Sequence, residues 1–169
     1  MNTTTELIRL AQSGDAHAFS RLYESVYTDL YRFALYTLRH AQDAEDAVSE
    51  TVLDAFSGIH TLREAAAFKS WIFRILTAKC SKKIRQYTNT PAQLDDDSCS
   101  GENKEEDICR QTDVQRALAV LSREDRLIIS MSIFAGYSSQ EIGGQLGMNP
   151  GTVRSRQSRA LKKLEDLLA

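Results

Sequence analysis

The last nineteen or so residues of the chain concentrate side chains suited to reading planar hydrogen-bond acceptors. Arg154, Ser155, Ser158, Arg159 and Lys162 step at i, i+1, i+4, i+5 and i+8. A helix from Pro150 to about Leu168 would therefore carry them on one outward face, with Val153, Ala160, Leu161 and Leu164 turned inward. Forked guanidinium donors match the paired acceptors on a guanine edge, and small hydroxyls do not obstruct approach, so Arg154, Ser155, Ser158 and Arg159 form a face for a major groove. Thr152, Arg156, Lys162 and Lys163 flank that face and suit phosphates, as do the free N–H groups of the helix's first turn. The alternative is a solvated surface helix.

The preceding residues would position such a helix. Val114, Ala117, Leu118 and Leu121 mark one helix. Ser122 is an N-cap for a second, whose inner face is Leu127, Ile128, Met131, Phe134 and Ala135 and which Gly136 ends. Ser138-Ser139-Gln140-Glu141 is a capping box opening a short helix with Ile142 and Leu146 inward. Gly147-Met148-Asn149 is a tight turn, followed by Pro150 at a first helical position. A short helix, a glycine-containing turn and a longer basic helix make a helix-turn-helix. Gly143-Gly144 within the short helix costs about 1 kcal/mol per glycine relative to alanine. Close packing would account for one of the pair but not both.

The N-terminal half reads as a helical bundle. Phe19, Leu22, Tyr23, Val26, Leu30, Phe33, Ala34 and Leu38 form one stripe on a helix from about Asp15 to Arg39. A second helix from about Asp43 has Ala44, Ala47, Val48, Thr51, Val52, Ala55 and Phe56 inward and Asp43, Glu45, Asp46, Glu50 and Asp54 outward. A third, from about Ala65 to Tyr87, has Phe68, Trp71, Ile72, Ile75, Leu76 and Cys80 inward. It carries Lys69, Arg74, Lys79, Lys82, Lys83 and Arg85 with no acid after Glu64. One helix acidic throughout and the next basic throughout either pair with each other or answer to outside partners. By charge, the basic one suits phosphates and the acidic one a basic protein surface. Trp71, Phe73 and Tyr87 are candidate stacking faces for bases, although Phe68 and Trp71 fit the core better.

The chain has 169 residues and a net charge of −2, with 42% apolar and 26% charged residues, 2 Pro and 8 Gly. Scarce helix breakers favour an all-α fold. Residues 1–88 sum to +1, 89–108 to −6 and 109–169 to +3. The middle piece is almost without large apolar residues, so it reads as a flexible acidic linker between two small domains. Met1 to Glu6 has neither a basic start nor an apolar run, and no apolar stretch approaches the ~20 residues of a membrane span; the expectation is a cytoplasmic protein with no membrane insertion. Cys80, Cys99 and Cys109 show no paired spacing, and no metal site or cofactor is expected. No glycine-rich phosphate loop or nucleophile–base pairing suggests an enzyme.

Three segments carry a family resemblance. Asp43-Ala44-Glu45-Asp46-Ala47-Val48-Ser49-Glu50, Phe68-Lys69-Ser70-Trp71-Ile72-Phe73-Arg74-Ile75 and Gly151-Thr152-Val153-Arg154-Ser155-Arg156-Gln157-Ser158-Arg159-Ala160 resemble, in order, three conserved stretches of bacterial sigma-70-family factors. Two small helical domains and little else resembles the extracytoplasmic-function (ECF) subfamily. The resemblance implies a promoter-recognition subunit, not an enzyme, with sigma region 2 over 1–88 and region 4 over 109–169. It implies that Asp43, Glu45, Asp46 and Glu50 dock on the clamp helices of the largest subunit of core RNA polymerase. It implies that the loop from about Ile59 to Ala67, with Lys69, Arg74, Lys79, Lys82 and Lys83, binds and opens the −10 element. The −35 element would fall to Arg154, Ser155, Ser158 and Arg159, and an anti-sigma factor is a further candidate partner. Ala78 and Lys82 stand where the family usually has Asn and Asp, and Gly143 where it has Ala. A polymerase-independent helix-turn-helix regulator and a helical interaction protein are the alternatives.

Overall fold

The computed structural model describes residues 3–89 and 113–168; the acidic piece expected to be a linker falls almost wholly outside them. The described residues form eight α-helices and two 3-10 turns, without strands. The N-terminal part comprises α1 (Thr3–Gln12), α2 (Ala16–Leu38), α3 (Ala41–Gly58), turns over Ile59–Thr61 and Ala65–Ala67, and α4 (Phe68–Asn89). The C-terminal part comprises α5 (Asp113–Ala119), α6 (Arg123–Ile133), α7 (Ser139–Leu146) and α8 (Pro150–Leu168).

Local chemistry sets the boundaries. Asp15 accepts from the backbone N–H groups of His17 at 3.0 Å and Ala18 at 3.1 Å, capping α2. Arg39 ends α2 in the left-handed region, at φ 55°, with its N–H on the Leu35 carbonyl. His40 Nδ1 then caps α3 by accepting from the Asp43 N–H, so α3 begins at Ala41, two residues before the first periodic acid. Thr3–Gln12 is a helix that the sequence reading does not include; Ile8 and Ala11 bury it against α2.

Phe33, Phe73, Leu30, Ile72 and Leu76 are fully buried at the centre of the bundle, with Phe33 edge-on to Phe73 at 5.6 Å between centroids. Phe73 is therefore core and cannot stack on a base. Phe56, expected inward, is 42% exposed at the rim of α3 yet lies edge-on to Phe19 at 5.1 Å. In the C-terminal part Ala117, Leu118, Leu121, Ile129, Ala160 and Leu164 form their own cluster. Leu161 and Val114, expected inward, are exposed, because each lies at the flank of its helix's narrow buried stripe.

The two parts touch. Helix α6 lies against α2 and α4, and Leu127, Ile128 and Met131 continue the buried surface of the N-terminal bundle. Three α6-side residues spaced four apart face α2. Arg126 Nε donates to the Thr37 carbonyl at 3.3 Å, Ser130 is buried one turn on, and the Phe134 ring sits 5.5 Å from that of Tyr36. Against α4, the Tyr137 hydroxyl donates to the Ser70 carbonyl at 2.7 Å, and the Arg123 guanidinium covers the Tyr87 ring at 5.0 Å. Thr37 Oγ1 and Ser130 Oγ are buried with no hydrogen-bond partner among the described residues. Such atoms cost about 1–3 kcal/mol each when kept from water, a cost that separating the parts would relieve.

Candidate nucleic-acid interface

Helix α8 is held from three directions. Asn149 Oδ1 accepts from the Gly151 N–H at 2.8 Å and caps its first turn. Gly147, at φ 68°, ends α7 in the left-handed region and turns the chain toward α8. Gly143 is buried where this turn crosses α7; a Cβ there would sit 2.5 Å from the Met148 carbonyl oxygen and 3.4 Å from the Pro150 nitrogen. Close approach therefore accounts for Gly143. Gly144 has nothing within 4 Å of a Cβ, and nothing in the structure explains it.

Side chains fix the helix's rotation. Val153 is fully buried, with Ala160 and Leu164 below it. Gln157 Nε2 donates to Ser132 Oγ at 2.7 Å. Arg156 Nη1 donates to Glu124 at 2.7 Å and its Nε lies 3.3 Å from Asp125. The Glu124 hydrogen bond holds the Arg156 guanidinium still more firmly protonated than usual. Arg156, expected on phosphate, is thus engaged in fastening α8 to α6. Arg154, Ser155, Ser158 and Arg159 share the opposite, exposed face with Thr152, Lys162 and Lys163 outside it. Arg159 Nε rests on the Ser155 carbonyl at 3.3 Å, an exposed contact that a base edge can replace.

The basic face of α4 is arranged differently. Lys69 pairs with Asp29 of α2 at 3.3 Å. Lys79 pairs with Asp54 at 2.6 Å and lies 3.9 Å from Glu50, so the acidic and basic helices partly neutralise each other. Arg74 and Ala78 line a cleft of about 470 Å³ toward Glu124, Leu127 and Met148 of the C-terminal part. Lys82 is exposed and Lys83 half-buried on the same helix. Of the expected stacking faces, Trp71 is half-buried and Tyr87 is covered by Arg123.

On α3, Asp46 and Glu50 are exposed, while Asp43 and Glu45 are half-buried. Asp46 accepts from Gln42 Nε2 at 3.2 Å, and Asp43 lies 3.6 Å from His40 Nδ1. Leu53, 68% exposed, adds an apolar side chain beside these acids. The sequence reading passed over it, although a leucine off the buried stripe of an acidic helix was the available signal. Cys80 is buried, and burial pushes its thiol well above the usual range. Among the described residues no cluster of three or more His, Cys, Asp or Glu could hold a metal, and no helix is long and apolar enough to cross a membrane.

Comparison with known proteins identifies the family. Residues 22–90 match the model for sigma-70 region 2 and residues 111–164 the model for sigma-70 region 4. The chain is 32% identical to the ECF RNA polymerase sigma factor SigM of Mycobacterium tuberculosis over 166 residues, covering 98% of this chain and 85% of that protein. It is 32% identical to RNA polymerase sigma factor SigV of Bacillus subtilis over 135 residues, covering 79% and 81%. Its fold is similar to that of CnrH in complex with the cytosolic domain of CnrY, at TM-score 0.66 and 25% identity over 99% of this chain and 97% of that one. It is also similar to RpoE of Bartonella quintana in complex with the anti-sigma factor NepR, at TM-score 0.65 and 24% identity over 89% and 96%. With both regions present in order and relatives matched along most of their length, the chain belongs to the sigma-70 family as an ECF RNA polymerase sigma factor, a transcription initiation factor and not an enzyme.

Proposed function

We propose a division of labour for this sigma factor, acting in the cytoplasm. The α8 face of Arg154, Ser155, Ser158 and Arg159 reads the −35 element. Thr152, Lys162 and Lys163 meet its phosphates, and Arg156 reaches phosphate only at the expense of its Glu124 pair. The Ile59–Ala67 loop, with Lys69, Arg74, Lys79, Lys82 and Lys83 of α4, binds and opens the −10 element. Asp43, Glu45, Asp46 and Glu50 grip the clamp helices of core polymerase, with Leu53 as an apolar anchor among them. The observation that carries the reading is the exposed α8 face on a helix whose rotation is fixed by Val153, Arg156 and Gln157.

The packed arrangement of the two parts is not the promoter-bound one. Elements centred near −35 and −10 lie roughly 25 base pairs apart, about 85 Å at ~3.4 Å per pair. A compact chain of this size has a radius of gyration of only ~15 Å. Residues 90–112, fully extended, reach about 80 Å, enough to let the parts separate along the DNA. Separation opens the cleft that the already exposed Arg74 and Ala78 line, and wets Thr37 and Ser130. An anti-sigma factor that favours the packed state would oppose initiation; the relatives CnrH and RpoE were solved in complexes with CnrY and NepR respectively.

The test is transcription in vitro by core polymerase, with and without this chain, on a promoter library. The expected result is chain-dependent transcripts sharing one −35 and one −10 sequence. Asp46→Lys with Glu50→Lys should abolish co-purification with polymerase while binding to isolated −35 duplex survives. Unchanged co-purification would contradict the docking surface, and transcripts without a shared −35 sequence would contradict the role of α8.

A further inference from the structure

The Ile59–Ala67 loop connects α3 to α4 through two 3-10 turns, and α1 lies against both. Ile59 and Leu62 are buried, while His60, Thr61, Arg63 and Glu64 are exposed. At the end of α1 the Gln12 side chain reaches across to this loop. Its Nε2 donates to the Ile59 carbonyl at 3.1 Å and to the Leu62 carbonyl at 2.8 Å. Both hydrogens of one amide are thus spent on the two ends of the exposed turn. Two carbonyl acceptors also fix which way the amide faces, since its own oxygen would be repelled there. The turn after Gln12 is tied down by the Gly14 N–H on Ala11 and the Asp15 N–H on Leu10, so Gln12 projects from a rigid corner. Within the loop, the Leu62 N–H bonds Ile59 and the Thr61 hydroxyl bonds Gly58. The region 2 family model matches residues 22–90, so Gln12 lies outside the matched segment and its two acceptors inside it.

We propose that Gln12 is a positioning residue for promoter opening: it holds the Ile59–Leu62 turn in the shape that captures an unstacked base of the −10 strand. The proposal rests on the assignment of this loop to the −10 element. A base extracted from the duplex costs a few kcal/mol of unstacking, so its receptor must be formed in advance to recover that cost. Gln12 carries the geometry without itself touching DNA. Its loss therefore weakens opening and base preference together and leaves the other contacts alone.

The experiment uses the full chain with core polymerase on a promoter set varied at each −10 position, and reads permanganate reactivity of opened thymines. Gln12→Glu is isosteric and sets carboxylate oxygens against the two carbonyls; Gln12→Met removes the donors without adding acceptors. Opening should fall ~10–30-fold for Gln12→Glu, as expected from two lost hydrogen bonds, and less for Gln12→Met. Preference should flatten at the same −10 position that His60→Ala or Arg63→Ala alters, with polymerase affinity and −35 binding within about twofold of the parent. Trp71, the sole tryptophan, packs beside Gly58 at the loop's start, so acrylamide quenching of its fluorescence should rise in the free variants at unchanged melting temperature. Should Gln12→Glu not fold, Gln12→Met carries the test alone. Unchanged opening and preference in the Gln12 variants, with the His60 and Arg63 variants altered, overturns the brace. Silence of His60→Ala and Arg63→Ala overturns the loop assignment and the brace with it. An equal loss of opening, polymerase binding and −35 binding shows a folding role only and also overturns the proposal.

Discussion

Helices α8 and α4 both carry basic side chains proposed to meet DNA, but they differ in how those charges are paired. On α8 the residues proposed to face bases are exposed, and the ion pair on that helix, Arg156 with Glu124 and Asp125, lies behind them and fixes the helix's rotation. On α4 Lys69 and Lys79 are paired with acids of the same bundle, and Arg74 faces the C-terminal part across a cleft. The α8 face is open, whereas α4 combines the paired Lys69 and Lys79 with the exposed Arg74 and Lys82. On the proposed assignment, the −35 element meets an open face, while the −10 element competes with Asp29 and Asp54 for Lys69 and Lys79.

The comparison is broken most directly at α8. Replacing Arg154 and Arg159 together with alanine should lower the free chain's affinity for a −35 duplex by roughly 100-fold, at ~1–3 kcal/mol per base contact. Lys69→Ala, which removes a half-exposed lysine already paired with Asp29, should change free-chain DNA binding by no more than ~1 kcal/mol. Equal losses from both changes, measured by fluorescence anisotropy, would erase the distinction.

The turn that sets α8 gives the next largest effect. Gly143→Ala forces a Cβ within 2.5 Å of the Met148 carbonyl oxygen and should destabilise by about 1–3 kcal/mol, with weaker −35 binding as α8 shifts. Gly144→Ala meets nothing and should stabilise by up to about 1 kcal/mol. Thermal unfolding of the pair checks the sign difference.

Smaller still is the contact between the parts. Tyr137→Phe removes the hydrogen bond to Ser70 and should shift the packed equilibrium by about 1 kcal/mol toward separation, raising the free chain's affinity for a −10 single strand a few-fold. Burial holds the Tyr137 hydroxyl above its usual 10.0, so its contribution is complete below pH 10 and fades as pH rises past that value. Parental protein should therefore loosen in alkali more than Tyr137→Phe does, as read by energy transfer between labels on the two parts.

Much of this was legible in the residues. The helix-turn-helix declared itself because Ser138, Glu141, Gly147, Asn149 and Pro150 are local signals whose meaning depends on a few neighbours. The acidic and basic helices were legible as compositions, but not their partial pairing through Lys79, which depends on how α3 and α4 cross. Helix α1 carries only a few apolar residues in a short polar run, and its role rests on Gln12 meeting carbonyls 47 and 50 residues away. Phe73 is a candidate stacking face in the sequence because it is an aromatic on a basic helix; the approach of Phe33 shows it to be core. The packing of α6 on α2 and α4 had no sequence signal, since Leu127 and Met131 fit an inner face in either arrangement.

The central claim is that the two DNA-reading parts are packed together in the free protein and separate on the promoter. It is tested by measuring the distance between spin labels at exposed Thr28 on α2 and Asp166 on α8, with Cys99 and Cys109 replaced by serine. The account predicts one short distance in the free chain, lengthening by tens of ångströms when core polymerase and a promoter carrying both elements are added, roughly as an ~85 Å spacing requires. The same short distance in the free and promoter-bound states would contradict it.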